Sequence, residues 1–180
     1  MKLQLAYSAD NQRVNSLEYV FANAVANLNR VSLLTESDRT EVLEFLKKRP
    51  VHTVVMTSFI CDNGLESPNN RGKFFSFRNA AGTLEGVALI GHTTLVECHS
   101  EDALIALALK ARESETPIKL MMSDGNSIEH FWQYYSGEQR EPRLVCEEQL
   151  FEIKFPVIVR EPVESLRLAT EADLLPVAKA

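Results

Sequence analysis

Three apolar runs separated by short turn signals lie between Lys73 and Cys98, and few architectures accommodate them. Lys73 to Arg78 alternates and carries Phe74, Phe75 and Phe77, which predicts a strand. Asn79-Ala80-Ala81-Gly82-Thr83 reads as a hairpin loop. Leu84 to Ile90 is mostly apolar, as in a buried strand. Gly91-His92 suits a turn or bulge, and Thr93 to Cys98 is the next strand.

The flanks alternate helix and strand. Residues 15 to 29 place Leu17, Phe21, Val25 and Leu28 on one helical face. Val31 to Leu34 reads as a short strand, and Thr35 with Asp38 three residues on resembles a capping box. Val42, Leu43, Phe45 and Leu46 supply the buried face of the helix so opened. Pro50 begins a second helical stretch to about Cys61, halted by Asp62-Asn63-Gly64, although its β-branched content leaves a strand as the alternative. Ser67 to Gly72 is loop by composition. Ser100-Glu101-Asp102 opens a helix, Ala103 to Arg112, with Leu104, Leu107 and Ala108 inward. Pro117 breaks it, Ile118 to Met122 is a short core strand, and Asp124-Gly125-Asn126 reads as a turn. Ile128 to Tyr135 is a helix ended by Gly137, and Arg143 to Lys154 reads as a long strand with Leu144, Cys146, Leu150 and Ile153. This order predicts an α/β (α+β) fold with a mixed, mostly antiparallel central sheet and helices on both faces.

Charge narrows the partners. The net charge of −6 comes with no basic stripe, and the densest basic run, Lys47-Lys48-Arg49, ends a predicted helix, where cations complement the dipole. Nucleic acid and anionic membrane surfaces are therefore poor partners. Cys61, Cys98 and Cys146 are odd in number and form no CxxC motif. The first residues turn polar by Ser8, and no apolar run nears the roughly 18 residues of a membrane span. Reduced thiols and a cytoplasmic location are the expectation.

The C-terminus repeats an earlier stretch. Residues 166–177 stand 135 positions after residues 31–42: Leu168 matches Leu33, Thr170-Glu171 matches Thr35-Glu36, Asp173 matches Asp38, and Val177 matches Val42. Thr-Glu-x-Asp is common capping chemistry, so chance similarity between two strand-to-helix starts is the alternative. The second copy, however, follows one full domain and a linker bracketed by Pro156 and Pro162. The organisation expected is a helical extension over residues 1–30, a domain over 31–154, a linker over 155–165 and the truncated start of a second domain over 166–180.

The element order, Gly86-Val87-Ala88-Leu89-Ile90-Gly91-His92 in the central strands and the opening Leu166-Arg167-Leu168-Ala169-Thr170-Glu171-Ala172-Asp173-Leu174 together resemble the GNAT superfamily of acyl-CoA-dependent N-acetyltransferases. Residues 31–154 resemble the degenerate N-terminal half of tandem members. The resemblance implies direct acyl transfer from acetyl-CoA to an amine by the parent protein. In active members, an R/Q-x-x-G-x-G/A stretch at the junction of the fourth strand and the next helix holds the cofactor's pyrophosphate through backbone N–H groups. The matching stretch here, Glu97-Cys98-His99-Ser100-Glu101-Asp102-Ala103-Leu104, has neither glycine nor arginine. Glu97, Glu101 and Asp102 would repel a pyrophosphate and read as partners of the helix dipole. No acetyl-CoA is expected on this segment, and the motif belongs in the second domain, its partner in the same chain.

Other candidates read as structural. Cys98-His99 could be a nucleophile pair or half a metal site, but neighbours in a strand point to opposite faces. His92 sits at a turn and His130 on an aromatic helix. Phe131, Trp132, Tyr134 and Tyr135 read as core packing, with one or two left for an interface. Asn69-Asn70-Arg71-Gly72 could hold an anion, although a loop without ligand is the simpler reading. No residue earns a catalytic, cofactor or metal role. The leading expectation is a non-catalytic half that completes the fold, shapes a substrate cleft or mediates homodimerisation. The alternatives are a stand-alone interaction or ligand-sensing module using Trp132 or Arg71, and a domain that binds acyl-CoA in an atypical way.

Overall fold

The computed structural model describes residues 27–137, 140–153 and 167–179. The chain divides into two units, Met1–Leu150 and Phe151–Ala180. The helix expected over residues 15–29 lies outside the described residues except at its end, where Asn27 and Leu28 are helical. The linker over residues 155–165 lies wholly outside them.

The first unit is a mixed α/β structure built on a five-stranded sheet in the order β1-β2-β3-β4-β5. Its elements run β1 (Val31–Leu33), α1 (Arg39–Leu46), α2 (Val54–Asn63), β2 (Gly72–Arg78), β3 (Leu84–Gly91), β4 (Thr93–Cys98), α3 (Glu101–Arg112), β5 (Leu120–Met122) and α4 (Gly125–Ser136). The first four strands pair antiparallel, and β5 pairs parallel to β4.

Alternation along the strands divides the core in two. Phe74, Val87, Leu89 and Leu95 pack with Val42, Phe45 and Leu46 of α1 and with Met56 and Ile60 of α2. Phe77, Ala88, Ile90 and Val96 point the other way, onto Leu104 and Leu107 of α3 and Phe131 of α4. Successive side chains of a strand face opposite sides, so β3 is apolar from Gly86 to Gly91, where both faces are covered. A methyl group built on Gly86 would stand 2.9 Å from the Ala103 Cβ and 3.0 Å from Leu107 Cδ1. Glycine there is what lets α3 lie this close to the sheet.

Three expectations need correction. Pro50 does not open a helix: α2 starts at Val54, after a turn in which the Thr53 hydroxyl donates to the carbonyls of Leu46 (2.8 Å) and Arg49 (3.0 Å). That turn satisfies carbonyls left over at the end of α1. Asp124-Gly125-Asn126 is not a free turn. Asp124 is the N-cap of α4, its carboxylate accepting the Ser127 N–H at 3.0 Å. The long strand expected over Arg143–Lys154 does not form: residues 143–153 lie outside any strand and are exposed, and Lys154 falls outside the described residues. Leu144, Leu150 and Ile153 have no sheet partner to bury them, and Glu147-Glu148-Gln149 interrupts the alternation.

In the second unit, a single 3₁₀ turn (Glu171–Asp173) leads into α5 (Leu174–Lys179). Its start reproduces the geometry before α1. Thr35 donates its backbone N–H (2.9 Å) and hydroxyl (3.0 Å) to Asp38, and Thr170 makes the same two bonds to Asp173 at 2.7 and 3.0 Å. The cap residues share extended backbone angles of −123°, 171° and −118°, 172°.

Packing distinguishes the two similarly capped starts: Val42 is 0 % exposed, whereas Val177, at the matching position, is 69 % exposed. Val42→Ala is therefore expected to cost about 2 kcal/mol, from lost burial plus a cavity. Val177→Ala should stay within about 0.5 kcal/mol. Urea unfolding followed by circular dichroism measures both, and equal effects would contradict the assigned burial.

Candidate functional site

In open α/β sheets the functional crevice lies beyond the carboxyl ends of parallel strands. Here that place is the end of β4 and β5, whose pairing stops at Leu95 opposite Met122. Beyond it the Ser123 hydroxyl donates to the Val96 carbonyl at 2.9 Å, and the two chains then part.

A charged cluster fills the gap. Arg49, from the α1–α2 connection, donates through Nη1 to Glu97 Oε1 at 3.2 Å and to Asp124 Oδ2 at 2.7 Å. The Glu97 side chain is only 6 % exposed, and those of Arg49 and Asp124 are 32 % and 27 % exposed. His99 completes the group, its Nε2 lying 3.3 Å from Glu97 Oε1 and its ring stacked on Phe45 with centroids 4.3 Å apart. One guanidinium thus faces two carboxylates, with an imidazole at the rim.

Arg49 and Asp124 favour one another's ionised forms. Burial opposes the charge of Arg49, but hydrogen bonding to Asp124 and the fields of Glu97 and Asp124 outweigh it, and its pKa rises. Burial likewise opposes ionisation of Asp124, but hydrogen bonds from Ser127 and Arg49 outweigh it and hold its pKa below the usual 3.8. Such a cluster ties elements together, since removing one partner would strand a buried charge.

This arrangement revises two readings. Arg49 does not serve the end of its helix. It reaches inward, whereas Lys47 pairs with Glu44 at 3.6 Å and Lys48 lies over the Phe45 ring at 5.3 Å. Glu97 is not a dipole partner of α3, because it sits on β4 facing Arg49. Glu101 and Asp102 do occupy the first turn of α3, as expected. Sequence reasoning missed the cluster because its members are 48 and 75 positions apart, and no linear motif joins them. The available signal was a glutamate following Leu95-Val96 inside a strand, which, if buried, demands a partner.

The other candidates disperse. Cys98 and His99 face opposite sides of β4: the thiol packs toward α3 and the imidazole onto Phe45 of α1. Burial, then the charges of Glu97 and Asp124, push the Cys98 thiol well above the usual cysteine range, which removes it as a nucleophile. His92 Nδ1 lies 3.0 Å from the Pro117 carbonyl and pins the loop before β5. In the 67–72 loop, Asn70 is buried and donates to the Gly64 carbonyl at 2.8 Å, and Arg71 takes a left-handed backbone at φ 51°. The Asn69, Asn70 and Arg71 N–H groups are already bonded within that loop, so they make no anion nest. Of the aromatic residues on α4, only Phe131 is fully buried. Tyr134 donates to Glu101 at 3.1 Å, and Trp132 Nε1 donates to the Arg140 carbonyl at 3.2 Å.

A cleft of about 230 Å³ lies between the starts of α3 and α4, lined by Cys98, His99, Ser100, Asn126 and His130 among others. Ser100 serves two donors at the start of α3, its hydroxyl the Ala103 N–H and its carbonyl the Leu104 N–H. Ser100 Oγ accepts from Ala103 N at 3.3 Å while donating to Glu85 at 2.7 Å. Among the described residues, no His, Cys, Asp and Glu group could hold a metal ion, and no helix is long and apolar enough to cross a membrane. No family model, curated protein or solved structure matches the chain.

Two outcomes check this geometry. The Asp124 pKa is lowered by folding, so its contribution to stability is complete above the usual 3.8 and is lost as pH falls through the folded value. Asp124→Asn should therefore lose less stability than wild type between about pH 6 and pH 3 in urea titrations. Parallel curves would contradict the assigned pairing. Iodoacetamide should modify exposed Cys61 and Cys146 in the native chain well before partly buried Cys98, whose raised thiol pKa leaves little thiolate, as read by peptide mass spectrometry. Native labelling of Cys98 at the rate of the other two would contradict its placement between β4 and α3 and its raised pKa.

Proposed function

We propose that residues 31–154 form a degenerate, non-catalytic half of a tandem GNAT-like N-acetyltransferase. The acyl transfer to an amine would be carried by a second copy of the fold, which Leu166 to Ala180 opens. The element order supports the fold assignment: a strand, two helices, three antiparallel strands, a helix, a parallel strand and a helix. The shared capping geometry of Thr35/Asp38 and Thr170/Asp173 supports the duplication.

The observation that carries the non-catalytic reading is the Arg49 cluster between the ends of β4 and β5. An acyl donor of this superfamily would need open backbone donors at the start of α3 and a free crevice beside β4. In this chain Ser100 caps α3, Glu101 and Asp102 crowd its first turn, and Arg49 bridges the crevice to Asp124. These residues do not fit an acyl-CoA, and no chemical step is assigned to one here. The role that remains is scaffolding: a rigid sheet with two covered faces, able to complete or shape a neighbouring catalytic half.

Acetyl-CoA titration by calorimetry at low salt tests the reading. No heat of binding is expected up to about 1 mM ligand, where even a millimolar site would register. Saturable binding at micromolar concentration would overturn it and call for a direct transferase assay.

A further inference from the structure

The sheet and α4 do not account for how deeply α3 is buried. Ala103 and Leu107 mark the side of α3 that lies on the sheet, since both close on Gly86 of β3. Ile105 is two residues from each, about 160° around the helix from both, so it points away from the sheet. Leu109, one turn on, shares that outer side. Ile105 is nevertheless only 8 % exposed, and Leu109 is half-buried. Ile105 also stands outside the apolar cluster by which α3 packs on the sheet and on Phe131, Tyr134 and Tyr135 of α4. A helix that is apolar on its outer side as well as its inner one needs a cover on both.

We propose that the outer cover of α3 is the chain's own residues 15–28, packed as a helix with Leu17, Phe21, Val25 and Leu28 against Ile105 and Leu109. Those four fall on one helical face, and the segment holds a single charged residue, Glu18, which suits burial better than solvation. Asn27 and Leu28 are helical, and Asn27 is only 7 % exposed, so this last turn does not stand free in solvent. Asn29 and Arg30 alone separate it from β1, and the Arg30 N–H closes on the Asn27 carbonyl at 2.9 Å. Val31, the first residue of β1, packs against the α3 cluster, and α3 itself reaches β1. Three residues span at most about 11 Å, which keeps Leu28 close to α3. Two residues is also within the range of connections that lay a helix back over its own sheet. As a helix the segment would be about 21 Å long, against about 18 Å for the 12 residues of α3, so the two match in length. So short a tether favours the chain's own segment over that of a second copy. The proposal does not depend on the acetyltransferase reading.

Hydrogen exchange of the full chain at about 1 and 100 μM, with sedimentation velocity at the same concentrations, tests it. Residues 17–28 should be protected in the monomer, to the same degree at both concentrations. The double variant Phe21→Asp/Val25→Asp should speed exchange at least about tenfold in residues 17–28 and in Ile105–Leu109 while leaving β3 unchanged. Asn23→Asp, which puts a charge about 160° around the helix from Phe21, should change neither. Should the double variant loosen β3 as well, Val25→Ala gives the same comparison with a smaller effect. Three results would overturn the proposal: residues 17–28 that exchange freely in the wild type, protection confined to a dimer, which would make a second copy the cover, or exchange in Ile105–Leu109 that does not move when residues 17–28 lose protection.

Discussion

Arg49 is the point on which the arrangement of the first unit turns. It comes from the connection between two helices on one face of the sheet, and it bonds a glutamate of β4 and the residue that caps α4. Three elements distant in sequence are thereby joined at the end of the only parallel strand pair among the described residues. A carboxylate as buried as Glu97 is tolerable only with a charged partner in good geometry, so the link is a requirement of the fold once Glu97 stands on β4. The apolar faces hold the helices to the sheet, and the cluster fixes how β4 and the α4 start stand beyond the last paired residues.

The same link explains why the usual functional position of such a sheet carries no reactive group. Glu97 and Asp124 are engaged by Arg49, Cys98 is partly buried with its thiol pKa raised, and Ser100 caps α3 through the Ala103 N–H. Exposed apolar side chains remain in residues 143–150 and along β5, beside the polar-lined cleft between the starts of α3 and α4.

Local signals made much of the fold legible. The alternating phenylalanines of β2, the mostly apolar run of β3, the Thr35–Asp38 box and the Ser100 cap each act within a few residues, and each stands where it was read. The failures are tertiary. Arg143–Ile153 has strand composition, but a strand exists only through a partner, and composition does not say whether one is within reach. Pro50 suits a first helical turn, yet Thr53 uses its hydroxyl on the end of α1 and delays the next helix. The Arg49 cluster was legible only as an anomaly, a glutamate among apolar strand residues. Its partner on the α1–α2 connection and the N-cap aspartate are defined by the fold and not by spacing.

A double-mutant cycle in urea, built from Arg49→Met, Glu97→Gln and the pair, addresses the Arg49 link directly. The single Arg49→Met change should cost about 3 kcal/mol, because it leaves the buried carboxylate unpaired. The double variant should recover at least about 1.5 kcal/mol of the summed cost of the two singles. Additivity within about 0.5 kcal/mol would mean that Arg49 and Glu97 do not depend on each other, and the cluster would lose its place as the tie that closes the end of the sheet.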